Sequence, residues 1–368
     1  MSAVNRLAAT PWICPPRTRA PVQLNGLILT RRTARITDMG SLAAILLYHR
    51  IASDPIDAHG LCVSPEHFRS HLDVIRELAE PAPLADVLCG STVPRKLVVS
   101  VTVDDGYADM STAARMLADA DIPGTFFVPT GALGQVHGYW FDNLERMFFA
   151  NPRLPPSIDW ESTVWPLRTA EDVIQAHDSL HRLLRSRPTM IKQSLVTLES
   201  KLGHDGKGHP GRAITTEDNL ISSLSRHTQL SIGLHGKTHA MLSRLMSNEE
   251  MAELRDSMRF VRQTFGHRPA ILAYPFGTPD SYSHRTVATC RHLGITSGLT
   301  TDQSVYHYTE DPYRIPRLLV RDWSAEEFRA WFVEGFDSRW LTKWGTDRRL
   351  KLANVLHDVQ QRYLGGAR

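Results

Sequence analysis

Two adjacent carboxylates, Asp104 and Asp105, follow an apolar run from Leu97 to Val103 and precede Gly106. The run is rich in β-branched residues, which predicts a buried strand that delivers both carboxylates at its carboxyl end. Successive side chains of a strand point to opposite faces, but a glycine turn at the strand end lets both reach one site. The two carboxylates could then act in one site in different roles. The alternative is a solvated turn or a helix N-cap, since Asp-Asp-Gly is common turn chemistry.

Two histidines, His235 and His239, follow a second short apolar run from Leu230 to Leu234. Residues four apart share one face of a helical turn, so the two imidazoles can bind one metal ion. A lone pair of this spacing arises by chance in a chain with 17 histidines. Carboxylates and histidines that each follow a predicted strand are a rarer coincidence. A third cluster, the Tyr-Pro-Phe-Gly stretch at 274–277, closes another apolar run.

These motifs, Thr-x-Asp-Asp-Gly, His-x-x-x-His and Pro-aromatic-Gly, resemble in type and order those of the polysaccharide deacetylases of the NodB-homology type, carbohydrate esterase family 4. The resemblance covers roughly residues 43 to 322 and implies a distorted (β/α) barrel. It also implies that Asp105, His235 and His239 hold one divalent metal ion, that Asp104 is the general base, and that an N-acetyl group is hydrolysed. Zinc is the first candidate for the ion, with Co²⁺, Ni²⁺ and Fe²⁺ as alternatives.

The general acid needs a separate assignment, because the late Leu-x-His motif of many family members is absent here. Tyr48-His49, at the end of the first predicted strand, resembles the family branch that acts on poly-N-acetylglucosamine, and this resemblance implies that His49 is the acid. The alternative for His49 is a structural histidine that is hydrogen-bonded in the barrel mouth. His307 is a weaker candidate for the acid.

The family's arginine that orients the base is also absent from its usual place before the Pro-aromatic-Gly turn, where Ala273 stands. Arg317 could replace it. A backbone N–H on the turn could stabilise a developing oxyanion. The residues expected to contact the substrate or its oxyanion are Tyr48, Pro275, Phe276 and Arg317.

A chain of 368 residues with 42% hydrophobic content can bury a full core. Strands alternate with amphipathic helices, which predicts an α/β fold whose active residues gather at the carboxyl ends of parallel strands. A capping box at Ser247–Glu250 is predicted to open one of the helices. Seven predicted strands suit a (β/α)7, TIM-like barrel of the NodB-homology type; they start at Ala43, Leu97, Gly124, Leu230, Ala270, Ile295 and Ile315.

The predicted domain organisation is a disordered extension over residues 1–40, the barrel over 41–325 and a C-terminal helical extension over 326–368. About 130 residues separate Asp105 from His235, more than a strand-helix-strand unit needs. The surplus predicts a mostly helical insertion or lid at 137–228, and the alternative is a passive surface elaboration. Loops are expected at 151–166 and, with four glycines, at 203–211.

The net charge of +3, with basic residues scattered among nearly equal acids, gives no reason to expect nucleic acid as a partner. The four cysteines are far apart and indicate ordinary thiols in a reducing compartment. No export signal is recognised in the first 40 residues, so we expect a cytoplasmic protein that acts on a nucleotide-linked or lipid-linked sugar. The last helix, with Leu352 and Leu356, could touch an anionic membrane surface or pack on the barrel; its basic neighbours are Lys343, Arg348, Arg349 and Lys351.

The sequence thus predicts a metal-dependent hydrolase that removes an N-acetyl group from an acetamido sugar or glycan precursor. Two alternatives remain. The barrel could carry a deformylase or another hydrolase of linear amides, or it could be a catalytically silent carbohydrate-binding homologue. The oligomeric state is left open.

Overall fold

The computed structural model describes residues 42–90, 97–203, 212–308, 311–336, 348–349 and 351–361. The predicted disordered extension at 1–40 and most of the predicted flexible loop at 203–211 lie outside these ranges. The strands are β1 (Leu42–Tyr48), β2 (Arg50–Ile51), β3 (Cys62–Val63), β4 (Ala79–Pro81), β5 (Leu97–Asp104), β6 (Gly124–Val128), β7 (Ser157–Trp160), β8 (Thr163–Pro166), β9 (Leu230–Leu234), β10 (Ile271–Ala273), β11 (Ser297–Leu299), β12 (Tyr306–His307) and β13 (Leu318–Leu319). The helices are α1 (Pro65–Leu78), α2 (Leu84–Cys89), α3 (Met110–Asp119), α4 (Trp140–Phe149), α5 (Ala170–Arg185), α6 (Ile191–Leu202), α7 (Glu217–Leu224), α8 (Ser247–Phe265), α9 (His284–His292) and α10 (Ala325–Val333).

Seven parallel strands form the barrel. Six of them lie side by side in the order β11-β10-β9-β6-β5-β1, and β13 pairs with the other edge of β1. Ile315, just before β13, bridges to Leu299 of β11, so the first and last strands of the order are joined. The predicted (β/α)7 barrel is confirmed, and every predicted strand start lies within three residues of an observed strand or bridge.

Alternation along β5 separates the two sides of the barrel wall. Val99, Val101 and Val103 pack with the surrounding helices in the main hydrophobic core. The residues between them point into the barrel, where Thr102 donates a hydrogen bond of 2.8 Å to the Leu46 carbonyl. Burying each valine contributes roughly 1.5–3 kcal/mol. The packing of the outward row therefore fixes which residues of β5 face the barrel interior.

The segment between β6 and β9 builds a second hydrophobic cluster, which includes Leu144, Phe148, Leu180 and Leu198 from helices α4, α5 and α6. The prediction of a loop at 151–166 is wrong, because β7 and β8 form an antiparallel hairpin there. Its turn residues, Glu161 and Ser162, both have positive φ, 50° and 61°. Paired positive φ values are typical of a tight hairpin turn, but neither residue is the Gly, Asn or Asp that normally signals one.

The C-terminal helix, residues 351–361, packs on this second cluster through Leu352 and Leu356. Two of its basic neighbours are engaged by acids of α5, since Arg348 pairs with Asp178 at 2.8 Å and Arg349 pairs with Glu171. Its apolar face therefore packs on the cluster that the insertion builds together with Ile56 and Ala58 of the β2–β3 connection. No helix in the described ranges has the length and hydrophobicity to span a bilayer. The predicted contact of this helix with an anionic surface remains a prediction, and Lys343 lies outside the described residues.

Helix α8 begins one residue away from the predicted capping box. Ser247 is the first helical residue and Met246 is the N-cap, whose N–H donates a 2.9 Å hydrogen bond to Glu249. The carboxylate three residues after the cap is thus kept, but the hydroxyl expected at the cap is replaced by an apolar residue. Because a serine at the first helical position is common, the sequence pattern alone did not distinguish the two registers.

Candidate metal centre and active site

The turn after β5 brings both carboxylates to the barrel mouth. Asp104 ends the strand and points inward, while Asp105 has a left-handed backbone with φ of 72°. Gly106 follows with φ of 66°, and a Cβ there would lie 2.6 Å from Val128 Cγ1. Only glycine fits that position without a shift of β6. Consecutive residues that would otherwise point apart therefore reach one cleft, as the sequence predicts.

The insertion helps to hold this turn. The Tyr139 hydroxyl donates a hydrogen bond to the backbone carbonyl of Asp105. The Tyr139 N–H donates to Asp142 at 2.7 Å, and the same carboxylate accepts from Tyr107 and from Arg212, the latter at 2.9 Å. The start of α4 is thereby tied to the carboxylate-bearing loop. The insertion is thus part of the framework of the site.

The two histidines do not lie on a helical turn, which corrects the geometry expected from their spacing. Residues 235–239 form an irregular loop after β9, with φ of 73° at Gly236 and 59° at His239. Glu253 of α8 organises this loop. Its carboxylate accepts hydrogen bonds from Lys237 N–H at 2.8 Å, from the Thr238 hydroxyl at 2.9 Å and from Thr238 N–H.

Asp105, His235 and His239 nevertheless converge. Asp105 Oδ1 lies 3.2 Å from Nε2 of each histidine, and one ligand atom from each of the three residues lies within 4.8 Å of the others. All three side chains are buried. Within the described ranges, no other set of His, Cys, Asp and Glu side chains meets this distance criterion.

The donor set fits a divalent metal ion. Nδ1 of His235 donates a 2.8 Å hydrogen bond to the Ala273 carbonyl, which leaves a lone pair on the Nε2 that faces Asp105. A carboxylate oxygen and an imidazole lone pair at this separation repel each other unless a cation or proton lies between them. Two imidazoles and one carboxylate are ligands that Zn²⁺ and related ions accept, with positions left open. The backbone partner of His235 is the kind of support that metal-binding histidines usually have.

His239 is oriented by rings instead of by a hydrogen bond. Its Nδ1 is buried and has no hydrogen-bond partner among the described residues. The rings of Tyr139, Phe141 and Phe276 lie 5.1, 5.7 and 4.8 Å from its imidazole. Packing against these aromatic rings, two of which come from the insertion, therefore sets the orientation of the His239 imidazole.

Arg317 lies at the place expected for an arginine that orients the base. Its Nη1 and Nη2 donate to the two oxygens of Asp104 at 2.8 and 2.7 Å, and both side chains are buried. Its Nε donates to the Thr300 carbonyl at 3.0 Å, and Nη1 lies 3.3 Å from the Thr102 hydroxyl. This parallel, charge-assisted pairing fixes the plane of the carboxylate.

Both carboxylates are held in the ionised form. Burial acts to raise the pKa of Asp104, but the charge of Arg317, the charge of His235 and the hydrogen bonds from Arg317 together outweigh it, so the pKa is lowered. Burial also opposes ionisation of Asp105, whose pKa is held well below its usual range by His239 and His235. In return, the carboxylates raise the pKa of His235 against the effect of its burial.

His49 lines the same cleft as Asp104 and Asp105. Burial lowers the pKa of this imidazole, and the two carboxylates partly oppose that effect. Its Nδ1 is buried and has no hydrogen-bond partner among the described residues. The alternative interpretation, a structural histidine held by hydrogen bonds, therefore has no support among the described residues.

Two predicted residues lie elsewhere. Tyr48 points to the opposite face of β1, where its ring packs on Phe68 at 5.0 Å and its hydroxyl lies 3.4 Å from His71 Nδ1. The prediction that the Tyr48 side chain contacts the substrate is therefore wrong, because adjacent residues of a strand face opposite sides. His307 pairs with Leu42, at the amino end of β1 and away from the barrel mouth, so it is not placed to act as an acid there.

The cleft has a volume of about 190 Å³ and includes residues that the sequence interpretation missed. Phe276 is at its rim with φ of 65°, next to the buried Pro275. Four further residues come from the β2–β3 connection and the insertion; they are His59, Leu61, Phe141 and His181. One signal existed, since His177 and His181 of α5 have the same four-residue spacing as the proposed ligands.

Comparisons with known proteins agree with this fold. Two solved structures share the fold: the Streptococcus pyogenes deacetylase PplD in complex with acetate has 16% identity and a TM-score of 0.52, and it aligns over 80% of this chain and 98% of its own. IcaB from Ammonifex degensii has 16% identity and a TM-score of 0.51, over 80% and 97%. No curated protein sequence matches the chain significantly.

The fold is therefore the (β/α)7 barrel of known deacetylases. Residues 210–298, which include both histidines of the cluster, match the family model described as polysaccharide deacetylase. The resemblance predicted from the motifs is confirmed by this match and by the shared fold.

Proposed function

We propose that this protein is a metal-dependent hydrolase that removes an N-acetyl group from an acetamido sugar or a glycan precursor. The observation that carries the proposal is the convergence of Asp105, His235 and His239 beside a carboxylate, Asp104, that Arg317 holds in place. The match of residues 210–298 to the polysaccharide deacetylase family supports the choice of an acetamido sugar.

Asp105, His235 and His239 would hold one divalent ion, with zinc as the first candidate. When bound, such an ion supplies a polarised carbonyl and a water of lowered pKa. Asp104 takes the proton of the attacking water, because its ionised oxygens keep lone pairs that Arg317 does not use. General-base catalysis of this kind contributes roughly 10²–10⁴-fold in rate.

His49 and Phe276 complete the proposed chemistry. A protonated imidazole can give a proton to the departing amine nitrogen, and His49 lies in the cleft, where its buried Nδ1 has no hydrogen-bond partner among the described residues. The N–H of Phe276, in the turn at the rim of the cleft, is a candidate donor to the developing oxyanion. Neutral amine leaving groups need this proton, since an amide anion is a very poor leaving group.

The proposal is tested by metal analysis of the purified protein together with acetate and amine release from a panel of N-acetylated sugars. We expect release that a chelator abolishes and that a divalent ion restores, and no release by Asp105→Asn. Faster release of formate from N-formyl substrates would favour the deformylase alternative. Metal-containing protein that binds the sugars but releases nothing would favour the silent carbohydrate-binding alternative.

A further inference from the structure

A pair of imidazoles lines the cleft together with the proposed metal ligands. His181 comes from α5 of the insertion and His59 from the connection between β2 and β3; their ring centroids are 4.5 Å apart. The His181 ring also stacks on Trp140, at 5.1 Å and an interplanar angle of 20°. The insertion therefore brings a polar group, as well as aromatic rings, to the proposed site.

These two imidazoles have hydrogen-bonding capacity that the described protein does not use. Nε2 of the His59 ring is buried and has no hydrogen-bond partner among the described residues, and the His181 ring lines the cleft beside it. Burial lowers the pKa of His181 to about 3 and holds that of His59 well below its usual range, so both rings are neutral near pH 7. A neutral imidazole offers one N–H donor and one acceptor nitrogen, the complement of a hydroxyl group.

Helix α5 is fixed to the barrel close to His181. Arg185, one turn later, lies 5.5 Å from the centre of the Phe276 ring. The same guanidinium pairs with Asp280 at 3.1 Å, just beyond the Pro-Phe-Gly turn. The imidazole pair is thereby positioned relative to the proposed oxyanion donor, and a ligand would meet a preorganised wall.

A second metal site is not the better explanation of this cluster. His177 lies near both rings, with centroids 5.4 Å from His59 and 6.3 Å from His181. Its Nδ1 contacts Asp178 at 3.1 Å, and within the described ranges these histidines do not form a group with converging ligand atoms. Hydrogen bonding to a ligand is the use that this geometry permits.

We propose that His181, with His59, binds hydroxyl groups of the sugar ring that carries the acetamido group, so that the insertion determines substrate specificity. This inference rests on the proposed function and extends it. The apolar rings of Phe141 and Phe276 offer flat surfaces for the C–H faces of a sugar, while the imidazoles form hydrogen bonds with its hydroxyl groups. A simple acetamide without hydroxyls gains nothing from these contacts.

The test compares two substrates in the full-length, metal-loaded protein. One is an N-acetylglucosamine oligomer and the other is N-acetylbutylamine, which has no hydroxyl group. The variants are His181→Ala, His181→Gln, and His284→Ala as a matched control, because His284 is exposed on α9. The measured quantity is the ratio of kcat/KM for the sugar to kcat/KM for the simple amide.

We expect His181→Ala to lower this ratio about tenfold, mainly through KM for the sugar, as the loss of a ligand hydrogen bond requires. His181→Gln, which keeps a donor and an acceptor, restores part of it, and His284→Ala leaves it unchanged. An unchanged ratio in His181→Ala, with sugar hydrolysis intact in the unaltered protein, overturns this inference alone. An unaltered protein that hydrolyses none of the sugars overturns both the inference and the proposed function.

Discussion

The guanidinium of Arg317 faces the carboxylate of Asp104 through two parallel hydrogen bonds of 2.8 and 2.7 Å, although 213 residues separate the two in the chain. Both groups are buried, so the pairing is little screened by solvent. Removal of either group would leave the other as an uncompensated buried charge, which is strongly destabilising. The orientation of the proposed base therefore depends on a residue that arrives with the last strand of the barrel.

The first prediction concerns this pair. Arg317→Lys keeps the charge but cannot form two parallel hydrogen bonds, so the carboxylate loses its fixed plane. We expect kcat to fall by about 10–100-fold with unchanged metal content, measured by steady-state kinetics and elemental analysis. The control is Arg314→Lys, at a neighbouring exposed arginine. A loss of metal in Arg317→Lys would show that the arginine acts on the ligands instead.

The second prediction separates proton transfer from metal binding. Asp104→Asn removes the proposed base without removing a proposed ligand, so kcat should fall roughly 10²–10⁴-fold while metal content stays the same. Asp105→Asn is the matched comparison and should lose the metal. Substantial turnover by Asp104→Asn would remove the general-base assignment.

The third prediction tests the loop that presents the histidines. Glu253→Gln weakens the hydrogen bonds that the carboxylate accepts from Lys237 and Thr238. We expect the affinity for metal to drop 10–100-fold, the usual cost of disturbing the groups that orient ligands, as measured by chelator competition. Asp119→Asn, at an exposed carboxylate of α3 that pairs with Arg115, is the control. Equal affinities in the two variants would mean that the loop holds its shape without Glu253.

The fourth prediction identifies the acid. His49→Ala should cut the rate on a sugar acetamide by orders of magnitude, because the amine must leave with a proton. An activated ester, whose leaving group needs no proton, should be hydrolysed at nearly the unaltered rate. Equal loss on both substrates, with fold and metal intact, would indicate that His49 positions other groups.

The fifth prediction concerns stability in acid. His71 is buried, with Nε2 donating a 2.8 Å hydrogen bond to the Trp323 carbonyl, and burial lowers its pKa to about 4. Below about pH 6.5, the ordinary pKa of histidine, the imidazole of His71 is protonated in the unfolded chain but stays neutral in the folded one. The free energy of unfolding therefore falls as the pH drops from about 6.5 towards 4.

The loss from this residue should reach on the order of 3 kcal/mol at pH 4. Denaturant unfolding at pH 7 and pH 4.5 measures it. His71→Gln should show a smaller difference between the two pH values than the unaltered protein, whereas His284→Gln should not. An equal difference in all three proteins would contradict the assignment to His71.

The parts of the fold that could be read from the sequence are those set by local patterns. The runs ending at Val103 and Leu234 are mostly apolar because nearly all their residues on both faces of the strand are buried, and both are observed as strands. Charge directly after such a run marks the strand's carboxyl end. Asp104, Asp105, His235 and His239 were found for this reason, together with the resemblance of their motifs.

The parts that could not be read depend on distant contacts. The irregular shape of the 235–239 loop is imposed by Glu253. The pair of imidazoles, His59 and His181, forms only when α5 packs beside the β2–β3 connection. The side of β1 that Tyr48 faces was available from alternation, since Tyr48 and His49 are adjacent and only one can face the cleft. That error came from carrying a paired motif over without its geometry.

The closure of the barrel has a consequence for how this protein folds. Ile315 bridges to β11 nearby in the chain, but β13 also pairs with β1, so the ring closes only when residues more than 250 positions apart come together. Contacts this distant are formed late and slowly, because the conformational entropy of a long loop must be lost before the contacts can stabilise the chain. Arg317 reaches Asp104 only in that step. A refolding intermediate with an open ring would therefore contain most of its secondary structure but no oriented base, and recovery of activity would lag behind recovery of helical signal.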